Sequence, residues 1–354
     1  MSGITITADS STQFETGAAE YNSSCRLDDN TFVVAYRDNS DFNFGKAIVG
    51  TRSGTVITIS EVNAVTFASR DIQDITVRAL SSTKIIISYY SDVTNHAYAI
   101  VGTISGVSIT FGTELDLGDD NGTVTVAVLD SSNVVFSICD AAQDDIDCWV
   151  GSISGTTISI GSVQTLPGSN PFDGEQIASV GLDSTHCVIA FIADAGNDLY
   201  AVVTLVNTGA QTLTFGNSIE IMTAGPIESF QVSIDKFDST HFIAGAGDQG
   251  SFSVVACSYD TGTLAITNGS KIEAIANDDS TSHSLCTMGA SNFLVAWYAT
   301  TVGTQGEVRS GTLTGSTTIT WDAQGAQVFD TSTSAYTTLC RLTDNYFLLG
   351  YKKG

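Results

Sequence analysis

Short apolar runs separated by polar turns recur along the chain. Residues 32–60, FVVAYRDNSDFNFGKAIVGTRSGTVITIS, contain three such runs, divided by an Asp- and Asn-rich stretch and by a Ser-Gly turn. The runs are rich in Val, Ile, Thr, Phe and Tyr, which favour pleated strands. No segment shows the period of a convincing amphipathic helix. The pattern therefore predicts an all-β protein.

One motif, a polar turn followed by an apolar run, occurs seven times at intervals of 49 to 55 residues. The copies are centred on Leu27, Leu80, Leu129, Leu182, Phe237, Met288 and Leu342. Each of the first six copies is followed by a third strand and, after a Ser-Gly or Thr-Gly turn, by a fourth. Four short strands in about 50 residues is the period of a β-propeller blade. We expect one domain, residues 1–354, folded as a seven-bladed β-propeller.

The two ends of the chain predict how the ring closes. The N-terminal SGITITAD matches the turn and fourth strand of the other repeats, whereas the C-terminal YTTLCRLTDNYFLLGYKKG supplies only a first and a second strand. We expect residues 4–7 to form a strand that joins the C-terminal blade, because closure removes the exposed edges of an open ring. The alternative is a strand donated by a partner subunit.

Loop variation distinguishes the two faces of the predicted disc. The links between first and second strands and between third and fourth strands are short and uniform. The links between second and third strands and between successive blades vary in length and chemistry. Variable loops on a rigid scaffold are where binding normally occurs. We call this surface the variable face and expect any ligand there.

Acidic side chains cluster in the loops of the variable face. The candidate ligand-binding residues are Asp38, Asp41, Asn43, Asp140, Asp194, Asp198 and Asp248. Their oxygens can accept hydrogen bonds from a sugar or coordinate a cation such as Ca²⁺. Aromatic residues that can stack on sugar rings lie in or beside the same loops, at Phe42, Phe44, Phe172 and Tyr298. The alternative is that the Asp and Asn residues only form turns.

Metal and disulfide signals are weak. The stretch DLGDDNG contains weak Ca²⁺ candidates in Asp116, Asp119 and Asp120, but it lacks the spacing and terminal Glu of an EF-hand. We therefore expect no cofactor. Cys139 and Cys148 flank one loop and are the pair best placed for a disulfide. The cysteines at one shared repeat position, Cys25, Cys286 and Cys340, are expected to be buried apolar residues.

The charge of the chain excludes some partners. It has 38 acidic and 13 basic side chains, a formal net charge of -25. Such a field repels nucleic acid and anionic lipid. No apolar run reaches the roughly 18 residues of a membrane helix, and from the first residues we expect no secretion signal. We expect neither nucleic-acid binding nor membrane insertion.

No set of residues identifies a reaction. His186 and His241 occupy the same Asp-Ser-Thr-His turn in successive repeats, which indicates a structural role, and the arginines occupy unrelated repeat positions. We expect a protein that is not an enzyme. Glycoside hydrolysis by paired carboxylates is the less favoured alternative.

The repeat unit VVAYRDxxxxxxGxAIVGTxSGTxITxG resembles tandem repeats of structural proteins of marine bacteriophages. The match covers nearly the whole chain and is strict in the first two repeats. The resemblance implies a virion component, assembled in the host cytoplasm and extracellular after release. Its expected partners are a host-surface glycan, if it is an adhesion protein, or other virion subunits, if it is purely architectural.

Overall fold

The fold is all-β, as the sequence predicts. The computed structural model describes residues 5–7, 11–118, 122–140, 145–168, 177–193, 198–223, 232–248, 251–275, 282–299, 305–332 and 334–353. These ranges contain the strands named below and one short 3-10 helix, Glu61–Asn63. No helix in them is long and apolar enough to cross a membrane.

The first three blades are five-stranded sheets. Blade 1 contains β1 (Ala19–Asp28), β2 (Thr31–Asp38), β3 (Phe44–Ser53), β4 (Val56–Thr58) and β5 (Val65–Ala68). Blade 2 contains β6 (Gln73–Ser81), β7 (Lys84–Ser91), β8 (His96–Ser105), β9 (Ser108–Phe111) and β10 (Leu115–Gly118). Blade 3 contains β11 (Val124–Val128), β12 (Asn133–Asp140), β13 (Asp145–Ser154), β14 (Thr157–Ile160) and β15 (Gln164–Thr165).

Three further five-stranded blades and a smaller sheet follow. Blade 4 contains β16 (Ile177–Gly181), β17 (His186–Ala193), β18 (Asp198–Asn207), β19 (Thr212–Phe215) and β20 (Ile219–Met222). Blade 5 contains β21 (Val232–Lys236), β22 (His241–Asp248), β23 (Ser251–Tyr259), β24 (Ile266–Asn268) and β25 (Ile272–Ile275). Blade 6 contains β26 (His283–Thr287), β27 (Asn292–Ala299), β28 (Gln305–Thr314), β29 (Thr318–Trp321) and β30 (Gln327–Asp330). The last sheet contains β31 (Ser334–Thr343) and β32 (Tyr346–Lys353).

The prediction of seven blades is wrong. In the described part of the chain there are six five-stranded blades and one two-stranded sheet. The sequence count rested on the first and second strands, which occur seven times, whereas a complete blade also needs the outer strands. Those outer strands follow only the first six copies.

Each blade also has one strand more than the sequence predicts. The long third strand pairs along its outer edge with two short strands, as β3 does with β4 near Thr51 and with β5 near Ala47. The chain therefore runs back along the third strand before it enters the next blade. This backbone pairing covers the outer edge of the blade and reduces its tendency to aggregate.

Inner strands pack side by side around the axis. The two-stranded sheet lies between blade 6 and blade 1, since β31 contacts both β26 and β1. Side-chain hydroxyls bridge neighbouring inner strands: Ser23 Oγ accepts from the backbone N–H of Val77 at 3.1 Å, and Ser282 Oγ accepts from that of Thr337 at 2.7 Å. Small polar residues near the axis thus satisfy backbone groups that lack a ladder partner.

The apolar core lies between the blades. Second strands read as continuous apolar runs because both of their faces are covered; Ile85, Ile86 and Ile87 in β7 are all 0% exposed. Complete burial of each such side chain contributes about 1.5–3 kcal/mol. The core holds the separate sheets together as one ring.

The N-terminal residues close the ring differently from the prediction. Residues 5–7 form no strand, and residue 4 lies outside the described residues. Ile6 is nevertheless buried, in an apolar cluster that includes Leu294 of blade 6 and Leu339 of β31. The N terminus therefore packs into the junction between blade 6 and the two-stranded sheet by side-chain burial.

All seven cysteines are buried free thiols. Burial of Cys25, Cys286 and Cys340 confirms the prediction for that repeat position. Cys139 and Cys148 do not face each other, because Cys139 pairs with Ile146 and Cys148 with the residue two places before Cys139. The pair best placed by sequence is therefore not bonded in the structure.

Candidate functional site

Three neighbouring inner strands carry the same backbone irregularity. Tyr21 in β1, Asp74 in β6 and Tyr336 in β31 have positive φ angles of 50°, 52° and 52°. Each lies at a register shift between the first and second strands of its sheet. Positive φ costs energy in a residue other than glycine, and such strain is concentrated at functional sites. Its repetition in three adjacent strands makes this region the first candidate for a binding site.

These three side chains line one end of a central cavity of about 250 Å³. The start of β1 pairs with the end of β2, Ala19 opposite Asp38, so this end opens on the variable face. We call it the channel mouth, defined by Tyr21, Asp74 and Tyr336. The structure thus places a concave site on the face that loop variation predicts.

Two tyrosine rings form one wall of the channel mouth. The ring centroids of Tyr21 and Tyr336 are 5.2 Å apart, and the ring planes are inclined at 45°. The Arg37 guanidinium lies 4.6 Å from the Tyr21 ring centroid, and the Tyr21 hydroxyl donates to Gln73 Oε1 at 3.1 Å. Lys352 lies 5.8 Å from the centroid of Tyr336. The rings are therefore held in place before any ligand arrives.

An ion network supports this wall from outside. Glu20 accepts from Arg37 at 2.5 Å and from Lys352 at 2.6 Å. Burial alone would raise the pKa of Glu20, but hydrogen bonds from Lys352, Asn39 and Arg37 outweigh it and lower the pKa to about 2. Glu20 therefore stays charged and ties β32 to blade 1.

Asp74 is the chemically unusual group of the channel mouth. Burial, together with the negative charge of Asp92, raises its pKa to about 7, although Arg37 acts in the opposite direction. Burial and the charge of Asp71 also raise the pKa of Asp92. Asp74 is therefore partly protonated at neutral pH, and its carboxyl group can both donate and accept.

Several acceptor atoms around the channel mouth have no hydrogen-bond donor among the described residues. Asn22 and Thr123 belong to the cavity lining, and Asn22 Oδ1 and Thr123 Oγ1 are buried without a partner among the described residues. Asp71 Oδ1 has only a 3.6 Å ion contact with Arg37. No described side chain donates to the Asp74 carboxyl group. Asp74 is therefore the acceptor of the channel mouth that a ligand with donor groups can satisfy.

Two predicted ligand residues serve the loop itself. Asp38 accepts from the backbone N–H of Ser40 at 2.9 Å and from Lys46 Nζ at 2.6 Å, while Asp41 lies 2.9 Å from the same Lys46 nitrogen. Burial opposes the charge of Asp38, but these hydrogen bonds lower its pKa. The Asp38 carboxylate accepts its hydrogen bonds from within the protein. This agrees with the alternative that Asp38 forms a turn and does not bind a ligand.

The third predicted residue of this loop joins it to the segment between blades 1 and 2. Asn43 Nδ2 donates to Asp71 Oδ2 at 2.9 Å. Beside it, Phe42 is 81% exposed, and its ring lies 5.8 Å from that of Phe44. Blade 1 therefore offers a second surface for a ligand, an exposed aromatic ring next to an amide and a carboxylate.

The remaining candidates of the variable face are only partly described. Asp140 and Asp248 end β12 and β22, but their side chains lie outside the described residues, as do Asp194 and Phe172. Asp198 begins β18 and is half-buried, and Tyr298 in β27 is buried. Their role in ligand binding stays a prediction.

The calcium candidates do not form a described metal site. Asp116 accepts from His96 Nδ1 at 2.8 Å and from the backbone N–H of Gly118 at 3.0 Å. Asp119 and Asp120 lie outside the described residues. Within the described ranges no three His, Cys, Asp or Glu residues are placed to hold a metal ion.

A neighbouring polar cluster anchors the link between blades 1 and 2 to blade 2. Arg70 stacks over Tyr98 at 4.2 Å and pairs with Glu114 at 2.6 Å, while the Tyr89 hydroxyl donates to the other Glu114 oxygen. Both carboxylate oxygens of Glu114 are thus engaged within the protein. This cluster therefore holds the linking segment against blade 2.

The residues of the channel mouth were not singled out by loop analysis, because they belong to inner strands. A repeat alignment contains a signal, since Tyr21, Asp74 and Tyr336 each lie six residues before the first-strand residues Leu27, Leu80 and Leu342. Sequence alone does not show that the three side chains converge.

Comparisons with known proteins support the fold. No protein-family model matches the sequence, and curated proteins give no match. Among solved structures, a protein from Lactobacillus plantarum has a TM-score of 0.57 at 12% identity, with 86% of this chain and 83% of that chain covered. An Aleuria aurantia lectin mutant in complex with Fucalpha1-6GlcNAc has a TM-score of 0.53 at 11% identity, with coverages of 89% and 96%. SapL1 lectin in complex with alpha methyl fucoside has a TM-score of 0.52 at 10% identity, with coverages of 87% and 96%.

At these identities the comparisons show the fold alone. The β-propeller part of the sequence resemblance is therefore supported. They provide no link to marine bacteriophages.

Proposed function

We propose that the protein is a carbohydrate-binding propeller that holds its ligand at the channel mouth. The observation that carries this proposal is the combination of two fixed tyrosine rings with the Asp74 carboxyl group in the lining of one cavity. A sugar ring offers apolar C–H faces to the aromatic wall and hydroxyl donors to Asp74. Two of the structurally similar proteins are lectins in complex with fucose-containing ligands or a fucoside, which supports a sugar as the ligand class.

The charge of the protein limits the classes of sugar that can bind. The chain has a formal net charge of -25, and Asp71, Asp74 and Asp92 lie at or beside the channel mouth. This field repels sulfated and sialylated glycans. The ligand class that fits is a neutral sugar or an amino sugar.

A glycan array followed by calorimetry tests this proposal. We expect the protein to bind neutral or amino sugars, Tyr21→Ala to weaken binding at least tenfold, and Tyr21→Phe to retain it because the ring remains. Tyr346→Ala, at the opposite end of β32 from Lys352, is the matched control. If Phe42→Ala abolishes binding and Tyr21→Ala does not, the ligand lies on the exposed ring of blade 1. If no glycan binds, a purely architectural role becomes the better explanation.

We also propose that the glycan belongs to a host cell and that the protein is part of a virion. The support is the resemblance of the repeat to structural proteins of marine bacteriophages. A mass-spectrometric inventory of purified particles tests this assignment separately from sugar binding. Presence in the particle with no affinity for host glycans would favour contacts with other virion subunits.

Glycoside hydrolysis is a second candidate, favoured by one observation. The pKa of Asp74 is raised to about 7 beside other carboxylates, which is the arrangement a general acid requires. Incubation with chromogenic glycosides distinguishes the two functions. Release of the aglycone by the native protein and its loss in Asp74→Asn would establish an enzyme, whereas binding without turnover supports a lectin.

A further inference from the structure

Among the described residues, none forms the strand that would cover the outer edge of β32 as third strands cover its counterparts. In every five-stranded blade the second strand pairs with a first strand on one side and a third strand on the other. In the described part of the chain, β32 pairs only with β31. The backbone groups on its other edge are therefore available for a further ladder.

Burial shows that this edge differs from the other blades. In β2, residues Phe32, Val33 and Val34 are 0 to 2% exposed, and β17 is buried throughout. The residues of β32 are half-buried, with exposed residues at both ends.

The two faces of the last sheet are covered. Leu348 packs against a cluster that contains Phe32 and Ile48 of blade 1. Phe347 and Leu349 pack against the cluster that contains Leu294 of blade 6. Among the described residues, no strand pairs with the other edge of β32.

The complete blades specify what fits along such an edge. Their third strands run antiparallel to the second, and Gly50 and Gly311 lie directly opposite Phe32 and Phe293. A Cβ atom on these glycines would lie 2.2 Å and 2.4 Å from the phenyl rings, so only glycine fits there. Phe347 holds the same position in β32, because Arg341 pairs with it as Arg26 pairs with Phe32.

The charge of Lys353 specifies a second position of the strand that would pair with β32. Lys353 pairs with Ser334 as Asp38 pairs with Ala19, so it occupies the last position of the second strand. The residue opposite this position is the first of the third strand, which is Asp145 in blade 3. Because Lys353 is exposed, an acidic residue opposite it adds a favourable cross-strand pair.

We propose that β32 binds an extended segment of a partner protein as an added antiparallel strand. The segment carries an acidic residue six positions before a glycine. Blade 3 contains this spacing in its own third strand, from Asp145 to Gly151. Backbone hydrogen bonds provide the affinity, and the glycine opposite Phe347 together with the acid opposite Lys353 provides the selectivity.

A fluorescent peptide with the sequence of β13, carrying Cys148→Ser to prevent oxidation, tests the proposal on the full chain by anisotropy. We expect saturable binding, at least tenfold weaker binding of the peptide with Gly151→Val, and weaker binding of the peptide with Asp145→Lys. A scrambled peptide is the control. Hydrogen exchange should show new protection of residues 346–353 in the complex.

Three results would overturn the proposal. They are absence of saturable binding at millimolar peptide, equal affinity for the Gly151→Val peptide, and protection that excludes residues 346–353. A stable dimer in light scattering whose own β32 is already protected would also overturn it, because a second copy would then occupy the edge. None of these measurements depends on sugar binding.

Discussion

Ile6 and Gln324 form a reciprocal pair of hydrogen bonds across 318 positions of the chain. The backbone N–H of Ile6 donates to Gln324 Oε1 at 2.7 Å, and Gln324 Nε2 donates to the Ile6 carbonyl at 2.9 Å. The side-chain amide thus takes the place of a neighbouring strand. It holds the N terminus in the junction between blade 6 and the two-stranded sheet.

Loss of this pair should weaken closure of the ring. We expect Gln324→Ala to lower the free energy of unfolding by about 1–3 kcal/mol, because two partly buried backbone groups lose their partner. Thr12→Ala, which removes one exposed 3.5 Å contact, is the control. Urea denaturation measures both, and equal stability of Gln324→Ala and the native protein would show that the pair contributes nothing to closure.

Asp38 should be a stability residue with a defined pH dependence. Its pKa is lowered from 3.8, so its stabilising effect is present above that value and is lost as the pH falls through the lower folded pKa. We expect Asp38→Asn to cost about 2 kcal/mol at pH 7 and progressively less below pH 4. Asp41→Asn, at a more exposed carboxylate on the same Lys46, should cost less than about 1 kcal/mol.

Asp74 should have the opposite dependence. Its folded pKa of about 7 lies above the ordinary value of 3.8, so the folded state binds more protons between these values and stability falls as the pH rises through them. Asp74→Asn should therefore be more stable than the native protein above pH 7, by about 1–3 kcal/mol. Thermal melts from pH 4 to pH 8 test this, with Glu220→Gln on β20 as the control. Parallel profiles for Asp74→Asn and the native protein would contradict the raised pKa.

Gly50 should tolerate no side chain. A Cβ atom there would meet the Phe32 ring at 2.2 Å, so we expect Gly50→Ala to destabilise the protein by about 2 kcal/mol or more. Gly209→Ala, whose nearest contact would be a side-chain oxygen at 3.6 Å, is the matched control. Urea denaturation of both variants measures the change in stability. It tests the close approach of Gly50 to Phe32, on which the glycine of the proposed partner strand is based.

The cysteines should be unreactive in the folded protein. All seven are buried free thiols, and burial raises the pKa of Cys25 and Cys148 to about 12, which suppresses the reactive thiolate. We expect no reaction with Ellman's reagent under native conditions and seven equivalents after unfolding. Fewer than seven under denaturing, non-reducing conditions would reveal a disulfide.

Much of the fold could be predicted from the sequence. Apolar runs such as KIIISYY specify strands buried on both faces, and Ser-Gly turns specify the hairpins, because both depend on residues close together in the chain. The repeat of these local signals gave the propeller. It did not predict the fifth strand of each blade. That strand pairs with the third strand of its blade, and this pairing depends on the path of the chain that links one blade to the next.

The number of blades and the candidate site were decided by tertiary structure. Counting first strands cannot show that β32 has no third-strand partner in the described part of the chain, since strand pairing is a contact between segments. Likewise, the sequence places Tyr21 and Tyr336 315 positions apart, and only closure of the ring brings their rings to 5.2 Å. Sequence periodicity determines each local unit, because strands and turns are set by neighbouring residues. Ring closure and the channel mouth are set by contacts between distant residues, and these become apparent only when the whole chain is folded.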